Sequence, residues 1–87
     1  MVSMEIFIKL APRDYSRLRS HVPIESAAYE AVEKASQIDH YLEGVSFRGY
    51  TIRCDERQAR IILEIAKQCC PEIVPDIDHA MTLAQPG

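Results

Sequence analysis

Tryptophan is absent from this 87-residue chain, phenylalanine occurs twice and glycine three times. With aromatics at 7%, aliphatic side chains must carry the core. No apolar run approaches the roughly 18–20 residues of a membrane span. The N-terminal MVSMEIFIKL lacks the basic region and small-residue cleavage site of a secretory signal. Three cysteines, an odd number, in such a chain read as free thiols in a reducing cytoplasm, not as a disulfide framework. There is no glycine-rich phosphate loop, no His-Glu-x-x-His and no Gly-x-Ser-x-Gly, and neither repeats nor low-complexity tracts. What these absences leave is a small cytoplasmic globular domain spanning 1–87, with no cofactor and no metal expected.

Charge is present but balanced. The net value of −3 argues against generic nucleic-acid binding. Residues 1–24 hold four basic and two acidic side chains, 25–47 one and five, 48–70 five and three, and 71–87 none and three. Alternation of sign along the chain predicts groups that neutralise one another once it folds.

The stretch Gly49–Pro71, GYTIRCDERQARIILEIAKQCCP, is the organising unit. Tyr50, Ile52 and Cys54 alternate with Thr51 and Arg53, the period of a half-buried strand. Asp55 stands at an N-cap position with Gln58 three residues on, a variant of the capping box. Pro71 stops the helix. Ala59, Ile62, Leu63, Ala66 and Cys70 form one apolar stripe, and Ile61, Ile65 and Cys69 widen it to an arc of roughly 200°. That arc exceeds what a helix resting on a sheet needs. Ile61 and Ile65 therefore pack on a second body, either another helix of this chain or a partner.

Residues 4–10 read as a first strand, with Met4, Ile6, Ile8 and Leu10 on one side and Glu5, Phe7 and Lys9 on the other. Phe7 is the apolar residue on the wet side. Residues 13–22 suggest a short helix through Tyr15, Leu18 and Val22. Ile24, Ala28, Ala31, Ala35, Ile38 and Leu42 recur with a period of about 3.5 and predict a long helix over 24–42, opened by Pro23 and closed by Gly44. Its polar line of Tyr29, Glu33, Ser36 and His40 reads as a solvated face. Apolar parity flips at Gly49, which predicts a bulged strand or a short hairpin over 45–54, with the bulge favoured. A last helix begins near Pro75, with Leu83 beside its apolar stripe and 85–87 frayed.

Adjacent cysteines on a helix diverge by about 100°, so Cys69 and Cys70 with His79 do not make a zinc site. Cys54 and Cys69 lie at opposite ends of one helix and cannot bridge. A helix ending in Cys70-Pro71 resembles the resolving-cysteine helix of OsmC-type peroxidases over a handful of residues. The large sheet, second helical cysteine and arginine partner of that family have no counterpart here, so the resemblance implies no function.

The predicted fold is α+β, in the order β-α-α-β-α-α: a two-stranded sheet against three to four helices, the strands antiparallel unless the first helix is only a turn. The expected function is an interaction or accessory module acting through homodimerisation or a protein partner, with Phe7, Ile61 and Ile65 as interface residues. Two geometries are open: edge pairing of the first strand, which extends the sheet to four strands, and face docking through Phe7 or Ile61. An anion- or nucleic-acid-binding module using Arg13, Arg17, Arg19, Arg48 and Arg53 is the alternative, and a thiol-dependent enzyme comes third.

Overall fold

Period-two alternation of aliphatic and polar residues opens the chain, and it forms a strand. A computed structural model describes residues 5–42 and 45–84. In it β1 spans Ile6–Leu10, burying Ile6, Ile8 and Leu10 and exposing Phe7 and Lys9. Met4 lies outside the described residues. The chain then turns into α1, Pro12–Arg19, with Pro12 in the first turn, where its missing N–H costs nothing. Tyr15 and Leu18 face inward, and Val22 follows them into the core from the turn beyond.

The long helix expected over 24–42 does not form. Residues 23–28 are turns: the Ser26 N–H donates to the Pro23 carbonyl at 3.0 Å, and the Ala28 N–H donates to the Ser26 hydroxyl at 3.2 Å. Such local serine bonding competes with helix continuation. Only α2, Tyr29–Glu33, is helical, and it buries Ala31 and Val32. Ser36–Leu42 is instead a strand, β2. The four-residue spacing of Ile38 and Leu42 fits a strand as well as it fits a helix, so the seam does not discriminate there.

The next strand explains which alternative prevails. β3, Val45–Cys54, pairs antiparallel with β1 only over its last five residues, from Leu10↔Tyr50 to Ile6↔Cys54. Its first half extends beyond β1, and β2 pairs with it from Leu42↔Val45 to Ser36↔Thr51. Without β2 that half would leave its backbone donors and acceptors unpaired. The sheet therefore has three strands in the order β1-β3-β2, not two, and the element order becomes β-α-α-β-β-α-α. Gly44, expected as a helix terminus, lies outside the described residues. The register through Gly49 is continuous, so there is no bulge. What Gly49 permits is a close approach: a Cβ there would lie 3.0 Å from the Leu10 carbonyl oxygen, where the chain leaves β1.

Asp55 caps α3, Glu56–Cys69, in a full capping box. The Gln58 N–H donates to Asp55 Oδ1 at 2.7 Å, and the Asp55 N–H donates to Gln58 Oε1 at 3.0 Å. The Gln58 amide nitrogen also donates to the Ala27 carbonyl at 3.0 Å. One side chain thus closes the helix start and ties it to the 23–28 turns. A short 3-10 turn, Pro71–Ile73, leads directly into α4, Val74–Ala84, one residue ahead of the expected start at Pro75. No helix among the described residues is long and apolar enough to cross a membrane.

The inner sheet face carries Ile6, Ile8, Leu10, Ile52 and Cys54 into one cluster with Leu18, Val32, Ala59, Ile62, Ala66, Ile73 and Ile77. α3 packs against α1 and α4, burying Ala59, Ile62 and Ala66 and leaving Ile61, Leu63 and Ile65 half-buried. Tyr15 links three elements. Its ring stacks on Tyr50 with centroids 4.1 Å apart, and its hydroxyl donates to the Val32 carbonyl at 2.5 Å. Burial raises the Tyr15 pKa above its ordinary value.

Candidate functional site

Alternation along β1 and β3 decides what the other face of the sheet presents. Glu5, Phe7, Lys9 and Arg53 stand on the outer side with Ser36, and all are exposed. Thr51, at the centre of that face between Lys9 and Ser36, is buried. Phe7 is 49% exposed, and Leu83 at the end of α4 is 72% exposed.

Two clefts open on this side. One, of about 350 Å3, lies between β1 and α4 and is lined by Glu5, Phe7, Lys9, Ala80, Leu83 and Ala84. The other, of about 400 Å3, is lined by residues of α2, the sheet and Gln58, among them Glu30, Lys34, Thr51 and Arg53. Arg53 lines one cleft and Glu5 the other, so the Arg53–Glu5 ion pair forms the ridge between them. α4 contributes Ile77 and Ala80 to the core and Leu83 and Ala84 to the outer cleft. An element that reaches both sides of β1 lies along its free edge.

The electrostatics of the surface are those of paired charges. Arg17 Nη1 meets Glu72 Oε1 at 2.6 Å, and Arg19 holds Glu33 with two bonds, at 2.8 and 3.0 Å. Lys34 meets Glu30 at 2.6 Å. The hydrogen bond from Arg19 holds the Glu33 carboxyl below the ordinary carboxylate range, and Lys34 does the same to Glu30. Arg17–Glu72 and Arg19–Glu33 join segments of opposite net charge in the chain, whereas Arg53–Glu5 joins two segments that are both net basic. Being exposed and screened by solvent, each contributes little to stability.

Of the arginines read from sequence, Arg13, Arg17 and Arg19 lie on α1 and Arg53 lies on the outer face of β3. Arg17, Arg19 and Arg53 are each held by a carboxylate from a different element. Arg48 occupies the strand position opposite Asp39. Ile61 and Ile65 are half-buried against the core cluster. Cys54 is on the inner face, and burial pushes its thiol up to about 12. Among the described residues, no three His, Cys, Asp or Glu side chains come together as a metal-ligating group.

Sequence reasoning found Phe7 but not its neighbour Leu83. The signal was there: Leu83 is a large apolar residue lying off the stripe of its own helix. What could not be read was that α4 would run beside β1 and bring it to Phe7. Comparison with protein-family models, with curated proteins and with solved structures finds no match to this chain.

Proposed function

We propose that the chain is an interaction module that works by self-association through the outer face of its sheet. The observation that supports this most is Phe7: a large aromatic residue on a sheet face whose neighbours are exposed, next to Leu83 and flanked by opposite charges. Solvent exposure of these two side chains forgoes burial worth about 1.5–3 kcal/mol for a fully covered residue of this size.

A second copy is the partner whose chemistry fits. Glu5 and Lys9 stand symmetrically about Phe7 on one strand face. A twofold axis passing near Phe7 sets Glu5 of each copy, which also holds Arg53 of its own chain, opposite Lys9 of the other, so that Glu5 is shared between two cations in a self-complementary, isologous arrangement. Edge pairing of β1 is disfavoured because α4 occupies that edge. The arginine-based anion site is the lesser reading, since it would have to release three carboxylates that already hold Arg17, Arg19 and Arg53.

A charge-exchange experiment tests the arrangement. Lys9→Glu and Glu5→Lys, each alone, place like charges across the axis and should weaken self-association. Mixed in equal amounts, the two variants should associate with each other more tightly than either does with itself, measured by sedimentation velocity. Variants that associate as the native chain does, singly and mixed, would remove the proposed axis.

A further inference from the structure

The Cys69-Cys70-Pro71 sequence does something its helical position does not suggest. Cys69 is the last residue of α3, and the Cys70 N–H still donates to the Ala66 carbonyl at 2.8 Å. Cys70 itself has left the helix, with φ −142° and ψ 62°. Pro71 is the cause: its ring excludes the α conformation from the residue before it. The two side chains therefore do not diverge as they would on a regular helix, and their sulfurs stand 3.2 Å apart. The expectation that adjacent helical thiols cannot converge fails here for that reason.

The two thiols differ in access. Cys69 is half-buried, whereas Cys70 is fully buried in the core. Burial pushes the Cys70 thiol up to about 12, and Cys69 beside it adds to the effect. Arg17 acts in the opposite sense and Glu72 in the same sense. An incoming reagent meets Cys69 first and finds Cys70 in place behind it.

We propose that Cys69 and Cys70 form a reversible dithiol–disulfide site that takes its oxidising equivalents from a low-molecular-weight disulfide. The Cys69 thiolate attacks one sulfur of the reagent, whose S–S bond breaks, and one thiolate leaves and takes up a proton. The result is a mixed disulfide on Cys69. Cys70 then gives up its proton, and its sulfur attacks Cys69 Sγ and expels the second thiolate, which is protonated in turn. Two protein thiols are oxidised to one vicinal disulfide, and one small disulfide is reduced to two thiols. Proximity drives the second step, because the attacking sulfur is already in contact with its target. The closed ring is strained. Consecutive Cα atoms are about 3.8 Å apart, below the roughly 4.4–6.8 Å that disulfides adopt, and strain makes the bond easy to reduce. The site is therefore set to reopen when excess thiol returns.

Oxidised glutathione added to the full chain, followed by acid quench, alkylation in denaturant and tryptic mass analysis, tests this. The peptide that begins at Gln68 holds both cysteines. It should lose two hydrogens, carry neither alkyl group nor glutathione, and regain two alkylatable thiols after treatment with excess reduced glutathione. Cys54 should be alkylated throughout. In Cys70→Ala the second step is gone, and a stable glutathione adduct on Cys69 should accumulate. A stable Cys69 adduct in the native chain, with Cys70 still alkylatable, would overturn the proposal, as would a native peptide that stays unmodified. The native-chain measurement decides the matter even if the variant fails to fold.

Discussion

The two faces of the sheet are made from the same strands, residue by residue, and differ in everything that follows. The inner positions Ile6, Ile8, Leu10, Ile52 and Cys54 meet α1, α3 and α4 and are at most 5% exposed. The outer positions Glu5, Phe7, Lys9 and Arg53 meet clefts. Stability resides on the first side. The second side carries Phe7, a large aromatic residue that is 49% exposed. Cross-strand pairs such as Ile8↔Ile52 fasten the inner face, whereas a charge pair, Arg53–Glu5, bridges the outer one.

That contrast can be broken most forcefully from the inside. Ile52→Ala should cost about 2–5 kcal/mol in chemical denaturation, because a fully buried side chain on the central strand leaves a cavity. A loss below about 1 kcal/mol would mean the inner face is not the core.

Alkaline pH sharpens the same point. The Cys54 thiol titrates near 9.0 when unfolded but is pushed up to about 12 in the fold. Between those values the unfolded chain has released a proton that the folded chain keeps, so stability falls as pH rises. The fall attributable to Cys54 is up to about 1.4 kcal/mol per pH unit. Cys54→Ala should make the stability-versus-pH slope shallower over this window in denaturation curves. An unchanged slope would contradict the burial of Cys54.

Asp55→Ala should cost about 1 kcal/mol, since it removes the acceptor of the Gln58 N–H and loosens the helix that closes the core. An unmoved denaturation midpoint would count against the cap. The smallest effect belongs outside. Phe7→Ala, in dilute solution where the chain is monomeric, should cost about 1 kcal/mol or less, half a side chain's burial. A penalty as large as that of Ile52→Ala would erase the distinction between the faces.

Where local signals agreed, the sequence was legible. β1 shows its parity, and α3 shows its cap, its arc and its stop: the strand expected over 4–10 forms as Ile6–Leu10, and the helix expected between Asp55 and Pro71 forms as Glu56–Cys69. Segment 24–42 was not legible because two patterns coexist in it. Its alanine seam satisfies a helix, and its Ile38–Leu42 spacing satisfies a strand equally. The choice was made elsewhere, by the half of β3 that β1 is too short to pair. Gly49 misled in a related way. The parity change there predicts a bulge or a short hairpin, whereas the pairing register is continuous through Gly49, and Val45 and Phe47 fall on positions that alternate with those of Tyr50 and Ile52. The candidate surface was half legible: Phe7 stood out against its strand, but Leu83 needed the path of α4. The convergence of Cys69 and Cys70 depended on the backbone that Pro71 imposes, a consequence of the sequence that helical spacing alone conceals.

Multi-angle light scattering of the purified chain across the micromolar range, beside Phe7→Glu, reads self-association through the outer sheet face. The native mass should rise toward twice 9.9 kDa, and the variant should stay at 9.9 kDa. A native mass of 9.9 kDa at every concentration, or a dimer that Phe7→Glu leaves intact, would contradict it.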